Sequence, residues 1–329
     1  MLKNLNILVT GGTGFIGDHL VKNLVKSESN VICLARRTSD VSHLEKLNTK
    51  IIYGNLLDKN SLKVIDKEDI DIVFHLAAGG NVSDISERAY QLFRKLNVEG
   101  TQNLLAHCKG IKRFVHFSSI AAMGVIINKT VDENTSCEPV LPYEKSKYES
   151  EIVVSESGLP FTILRPSMVY GEGDRKSEIL LLCRLIKKGV LPIIGNGNNL
   201  IPLTYVSNIV QGALLAIKTK KSINETYILC DEKSYPLNQI ANTIAKIEDV
   251  NFKKIYIPKT LGNTFALGFE LSSKIFNITP LLTRRKIYSM TNSRIFSISK
   301  VKKNLGYKPI DLKSGLKHTI PWYEKAGLI

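Results

Sequence analysis

Long apolar runs are absent. No stretch of the 329 residues is long and hydrophobic enough to span a bilayer. The amino terminus passes straight into a strand-forming run at Leu5, so no secretory leader is expected. Cysteine is sparse. Its five occurrences, Cys33, Cys108, Cys137, Cys183 and Cys230, are scattered and odd in number, which excludes a disulfide framework and a paired metal site. The six histidines show no ligand spacing, so no metal is expected. A reducing, cytoplasmic setting follows from that cysteine usage. Internal repeats and low-complexity linkers are missing too, which argues against solenoids and strings of tethered modules.

Acid is the other shortage. Lys and Arg number 45 against 30 Asp and Glu, a net charge of +15. Nucleic-acid binding is one reading of such a balance, but no nucleic-acid motif accompanies it. The imbalance is sharpest from Lys253 to Lys303, where the only acid is Glu270. A solvated basic face is the plain reading of that segment.

What is present begins at the amino terminus. Leu5 to Val9 reads as a buried strand, and Leu20, Val21, Leu24 and Val25 fall on one face at helical spacing. Between them lies Thr10-Gly11-Gly12-Thr13-Gly14-Phe15-Ile16-Gly17. Gly11 can take a backbone conformation closed to other residues. Gly14 lets a diphosphate approach the main chain, and Gly17 lets the helix pack closely on the sheet. The helix start offers unpaired N–H groups and partial positive charge to phosphate. Strand, loop and helix stand in the order that dinucleotide binding requires.

Strand and helix then alternate. Val31 to Ala35, Ile51 to Tyr53, Ile72 to Leu76 and Arg113 to Phe117 read as strands, and the longest intervening helix runs from about Glu87 to Cys108. Such alternation implies an α/β fold with a Rossmann-type, doubly wound parallel sheet. Ligands in such sheets bind beyond the carboxyl ends of the strands. One of those ends reads Phe117-Ser118-Ser119, and Tyr143 and Lys147 follow at a spacing that shares one helical face. Pro142 suits the first turn of that helix.

With its Gly-x-x-Gly-x-x-Gly loop, its Ser-Ser strand end and its Tyr-x-x-x-Lys pair, the chain resembles the extended short-chain dehydrogenase/reductase family, also called the NAD-dependent epimerase/dehydratase family. The resemblance reaches from Thr10 to Tyr323 and is weakest from Lys253 to Arg294. It implies a NADP-binding domain over residues 1–165, with 201–230 returning to it, and a substrate-binding part made of 166–200 and 231–329. It implies cofactor contacts from Gly11, Thr13, Gly14, Phe15, Ile16 and Gly17. Further contacts are implied for Asn55, Leu56, Leu76, Ala77, Ala78, Asn97, Tyr143, Lys147, Pro166 and Val169. Gly79, Asn81, Ser119 and Ser167 are implied on the substrate side.

Several positions carry their own chemistry. Where NAD-specific relatives have an acid on the ribose, this chain has Ala35 followed by Arg36 and Arg37. Arginine matches phosphate with a fork of donors, so NADP(H) is favoured over NAD(H). Asn55 stands where relatives have Asp and can accept from the adenine amine through its carbonyl oxygen. His75 reads as a packed strand histidine. Asn97 ties its helix to the active-site strand.

The catalytic reading is a Ser-Tyr-Lys set. A free tyrosine has a pKa of about 10, and the Lys147 ammonium is expected to lower it. Ser119, rather than Ser118, would hold the substrate oxygen while Tyr143 gives or takes its proton. Dehydratases of the family carry an Asp-Glu pair where this chain has Ile120-Ala121, which argues against dehydration. The leading expectation is therefore a NADP(H)-dependent oxidoreductase that interconverts a ketone and a secondary alcohol on an anionic nucleotide-sugar. A sugar epimerase is the first alternative, since the same three residues serve it. A hydroxysteroid or flavonoid-type dehydrogenase is the second, because Arg165-Pro166-Ser167-Met168-Val169-Tyr170-Gly171 fits those relatives too. A non-catalytic NADP sensor would be expected to lose the Tyr-Lys pair. A homodimer is compatible with this reading.

The basic segment also carries Leu261, Phe265, Leu267, Phe269, Leu271, Ile275, Phe276 and Ile278. Interruption of its helix at Gly262, Gly268 and Ser272-Ser273 is expected, with most of these side chains in a core that covers the cleft. Docking on anionic lipid is the weaker alternative for it.

Overall fold

Strands whose apolar residues point to both faces need cover on both faces. The structure, a computed structural model, describes residues 2–79, 86–276 and 283–329, and in it a central sheet receives that cover. In chain order its strands are β1 (Asn6–Thr10), β2 (Asn30–Ala35), β3 (Lys50–Tyr53), β4 (Ile72–His75), β5 (Arg113–Phe117), β6 (Phe161–Pro166) and β7 (Glu225–Leu229). Their spatial order is β7-β6-β5-β4-β1-β2-β3, and every pairing is parallel. Winding reverses between β1 and β4, which opens a crevice beyond their carboxyl ends.

Alternation along each strand divides the core. Ile7, Val9, Phe74 and Val115 meet Leu20, Val21 and Leu24 of the helix Phe15–Lys26, and Ile209 and Ala213 of the helix Val206–Lys218. Leu8, Ile32, Val73 and Phe114 face the other way, towards Leu62, Leu104 and Val154. A further core joins Ile179, Cys183 and Leu191 to Ile240, Leu316 and Tyr323 in the carboxyl-terminal part. Phe296, Val301 and Tyr307, far along the chain, return to the sheet's own core.

Two elements differ from the sequence reading. The expected helix from Glu87 to Cys108 is helical over Glu87–Arg94 and Gly100–Leu105, with a π-helical turn at Lys95–Glu99 between them. Such a turn rotates the residues that follow it relative to those before, and it contains Asn97. The segment Lys259–Phe276 is one unbroken helix, despite its glycines. Nor are four of the apolar residues expected in the core found there: Leu261, Phe265, Leu267 and Phe269 are exposed, while Ile278 and the side chains of Leu271, Ile275 and Phe276 lie outside what the structure describes. Gly262 sits under the Ile194 side chain, where small size is what packing demands, whereas Gly268 faces open space.

Candidate functional site

The loop after β1 turns on Gly11, whose φ is +74°. A Cβ there would come 2.7 Å from the Ala77 nitrogen, so only glycine lets the loop lie against the strand end after β4. Gly14 caps the helix Phe15–Lys26 without a side chain, and its carbonyl receives the Asp18 N–H at 2.9 Å. Gly17 packs against the loop rather than the sheet. A Cβ on it would overlap the Gly11 carbonyl and lie 2.8 Å from Gly12 Cα. Thr13 and Gly14 are exposed at the loop tip.

Behind the loop, buried polar groups hold the wall. Thr10 Oγ1 lies 2.7 Å from His75 Nδ1 and accepts the Ala77 N–H at 3.2 Å. Thr101 Oγ1 donates to the Asn97 carbonyl, so at 2.9 Å it accepts from His75 Nε2. The histidine is thus the Nε2–H tautomer and neutral, its pKa pushed down to about 3 by burial and by the Lys147 charge. Asn97 is buried behind the wall and does not line the groove. Its Oδ1 accepts the Gly79 N–H at 2.8 Å, and its Nδ2 donates to the Gly79 carbonyl at 2.9 Å and to Ser146 Oγ at 3.0 Å. Asn97 therefore ties the loop after β4 to the helix Pro142–Ser155.

A groove of about 310 Å³ opens at the carboxyl ends of the strands. Gly11, Gly14, Phe15, Ile16 and Gly17 line one side of it. Leu76, Ala78, Ser119, Tyr143, Lys147, Pro166, Ser167 and Val169 complete the walls, together with Phe117 and Ser118. A depression of about 580 Å³ lies at the other end of the sheet, beside Asn6, Asn30 and Lys50. Those residues open β1, β2 and β3, the end of a doubly wound sheet at which ligands do not bind.

Ser119, Tyr143 and Lys147 meet in this groove. Ser119 Oγ accepts the Ala121 N–H at 3.1 Å, which leaves its own proton free to donate. It also bonds Tyr143. The expected lowering of the Tyr143 pKa by Lys147 does not occur. Burial raises it, and only the Ser119 bond works against that rise. Lys147 is itself desolvated, its pKa pushed down to about 8, and it donates to the Phe117 carbonyl at 2.7 Å. That carbonyl takes one of its three ammonium hydrogens.

Other expected positions lie outside the groove. Arg36 and Arg37 are exposed at the end of β2, with Arg37 Cζ 5.5 Å from the Tyr53 ring centre. Asn55 is exposed, and its Oδ1 already accepts the Leu57 N–H at 3.1 Å in a local turn. Only the remaining lone pair of that oxygen is open to adenine. The Leu56 carbonyl accepts Asn103 Nδ2 at 2.7 Å. Ser167, by contrast, is on the groove wall, where it bonds Thr204, whose hydroxyl donates to the Leu229 carbonyl at 3.0 Å. Asn81 lies outside the described residues. Among the described residues no cluster of His, Cys, Asp or Glu could hold a metal ion, no helix is long and apolar enough to cross a membrane, and all five cysteines are free.

The structure adds interactions around the groove that the sequence reading did not assign. Ser118 Oγ is buried at the groove with no hydrogen-bond partner among the described residues. Arg165 pairs with Glu151 at 2.6 and 3.0 Å, so the start of that motif braces the helix Pro142–Ser155. Glu144 accepts the N–H groups of Val140 and Leu141 at 2.9 and 3.0 Å, capping the helix one residue from Tyr143. Its place three residues into a helix opened by Pro142 was a legible capping signal. Arg285 reaches the same carboxylate at 3.1 Å from 141 residues away, and nothing in the sequence marked it.

Comparison with known proteins bears on this geometry. The family model described as NAD dependent epimerase/dehydratase family matches residues 7–230. The N-acetyl-alpha-D-glucosaminyl-diphospho-ditrans,octacis-undecaprenol 4-epimerase of Escherichia coli O157:H7 is 29% identical over 331 residues, covering 97% of this chain and 95% of that protein. Among solved structures, UDP-glucose 4-epimerase with UDP-glucose from Thermotoga maritima superposes with a TM-score of 0.79 at 26% identity, over 98% of this chain and 99% of that one. UDP-glucuronic acid 4-epimerase from Bacillus cereus, in complex with UDP-glucuronic acid and NAD, gives 0.75 at 25% identity, over 98% and 100%.

Proposed function

The chain belongs to the NAD dependent epimerase/dehydratase family and is an enzyme of the extended short-chain type, and from that premise we propose that it epimerises a secondary alcohol on a diphosphate-linked sugar through a transient ketone. The observation that carries this reading is the meeting of Ser119, Tyr143 and Lys147 in one groove beside the glycine loop. The three relatives named above are 4-epimerases, and their sugars are carried on UDP or on an undecaprenol diphosphate.

A nicotinamide dinucleotide fits the groove. The cradle at Gly11 and Gly17 is one that a Cβ would fill, and the open helix start at Gly14 suits a diphosphate. When bound, the nicotinamide supplies the acceptance and return of hydride. The chain's own residues handle the proton and the oxygen. Ser119 donates to the reacting oxygen. Tyr143 takes the hydroxyl proton in the oxidising direction and returns it in the other. Lys147, its pKa pushed down to about 8, is held at the groove by the Phe117 carbonyl, and it is the Ser119 bond that works against burial at the Tyr143 phenol. Ile120 is buried beside Ser119, so no acid or base follows Ser119 to eliminate water.

A second reading rests on Arg36 and Arg37, exposed at the end of β2 with no acid at Ala35. They suit a 2′-phosphate, hence NADP(H) and net reduction of a keto-sugar. One experiment separates the two. Purified protein is incubated with a panel of UDP-sugars and each dinucleotide, while products are read by NMR and cofactor by absorbance. Epimers formed with no net change in cofactor support the first reading. Consumption of NADPH matched by alcohol formed would replace it with the second. If no UDP-sugar changes under either cofactor, both readings of a nucleotide-linked substrate fall.

A further inference from the structure

The helix Lys259–Phe276 is attached by its small residues. Gly262 lies where a Cβ would meet the Ile194 side chain at 3.0 Å, and Ala266, one turn on, is fully buried. Beside that seam the large apolar side chains described for this helix stand open to solvent. Leu261, Phe265 and Phe269 recur every fourth residue on one face and are 48%, 57% and 40% exposed. Leu267 is exposed on the far side of the helix, and the neighbouring helix Arg284–Thr291 adds Tyr288 and Met290. Single exposed apolar residues are ordinary. A contiguous stripe on the outer face inverts the pattern of a surface helix, and such patches mark interaction sites.

Charge selects the occupant. Lys253, Lys254, Lys259, Arg284 and Lys286 belong to these same two helices and the strand before them. Glu270, the only acid between Lys253 and Lys303, is engaged by Arg284 at 2.9 Å. A second copy docked through a two-fold axis would set this basic surface against itself. Nucleic acid would satisfy the lysines but give the leucines and Met290 nothing to bury against. An anionic bilayer satisfies both. We propose that this face seats the enzyme on the surface of an anionic lipid membrane, with Leu261, Phe265 and Phe269 at the acyl boundary and the lysines at the headgroup phosphates. The seat is joined to the active site: Arg285, on the helix that presents Tyr288, donates to Glu144 beside Tyr143.

The test is co-sedimentation of the full chain with vesicles of phosphatidylcholine alone and of phosphatidylcholine with phosphatidylglycerol, across a salt series. Binding is expected to the anionic vesicles and not to the neutral ones, weakening as salt rises. The double variant Phe265→Ser, Phe269→Ser should lower the partition by roughly tenfold or more, with its circular dichroism and cofactor titration unchanged. Protein that stays in the supernatant with anionic vesicles would overturn the proposal. So would a folded double variant that sediments like the native chain. A native dimer that this variant splits, or a complex with a DNA oligonucleotide, in either case without vesicle binding, would assign the face to that partner instead.

Discussion

At Tyr143 two influences oppose each other. Burial holds the phenol in its protonated form, and the Ser119 hydroxyl partly offsets that by bonding it. Lys147 stands one turn further along the helix, but its ammonium donates to the Phe117 carbonyl. The tyrosine is therefore a ready proton donor whose use as a base depends on charge entering the groove. Removing the hydroxyl should remove the acid and leave the walls intact. The Tyr143→Phe variant is expected to lose turnover by about 10²- to 10⁴-fold, the usual range for a positioned proton carrier. Its dinucleotide affinity, measured by fluorescence titration, should stay near native. Turnover near the native rate would place the proton elsewhere, with Ser118 the first group to examine.

The glycine loop acts as one element. Gly11 is pressed against the Ala77 backbone and Gly17 against Gly11 and Gly12, so loop, helix start and β4 end share a single packed arrangement. The backbone at Gly11 and Gly17 leaves a side chain no room to swing clear. Gly17→Ala should cost roughly 1–3 kcal/mol of stability, the range for overpacking a filled site, because the overlap is with main chain. Dinucleotide affinity should fall with it, since the helix start must shift. A thermal melt and a cofactor titration of the same sample check both halves. A variant with native melting temperature and affinity would show that the loop has slack.

Across the whole molecule, Asp231 joins parts that are distant in sequence. It follows β7, accepts the Tyr205 N–H at 3.2 Å and a hydrogen from Asn208 Nδ2 at 2.8 Å, and leaves its other oxygen buried without a partner among the described residues. Asn208 in turn bonds the backbone of Ile310 in both directions. Burial pushes the Asp231 pKa up to about 7. Below the ordinary aspartate pKa of about 3.9, folded and unfolded chains are both protonated here. Between that value and about 7 only the unfolded chain ionises, so the fold loses stability as pH rises through this window. Above it the loss is complete and constant. A shift of this size corresponds to a loss on the order of 4 kcal/mol. Asp231→Asn cannot ionise, so denaturant melts should show the variant gaining on the native protein from pH 4 to pH 8. Parallel stability curves for the two proteins would show that Asp231 is ionised throughout.

The residues that could be read from sequence alone share one property: their roles are set by near neighbours in the chain. A glycine loop between a strand and a helix, the alternation that makes a parallel sheet, and the Tyr143–Lys147 spacing all express backbone preference or periodicity over a few residues. The groove confirmed their company, because a doubly wound sheet gathers the carboxyl ends of its strands in one place. Other features waited for the fold. Asn97 could be read as a tie, yet only its packing removed it from the cofactor wall. The closeness of Gly17 to Gly11 rather than to the sheet is a matter of tenths of an ångström between turns of chain. Arg285 finds Glu144 across 141 residues, and no local pattern encodes such a pairing. The Tyr143 pKa follows from desolvation, which sums over every atom nearby and so exists only once those atoms are assembled. The outward turn of Leu261, Phe265 and Phe269 was decided in the same way: their spacing marks a helical face, but which face meets the protein depends on Ile194 and Ile287 lying over Gly262.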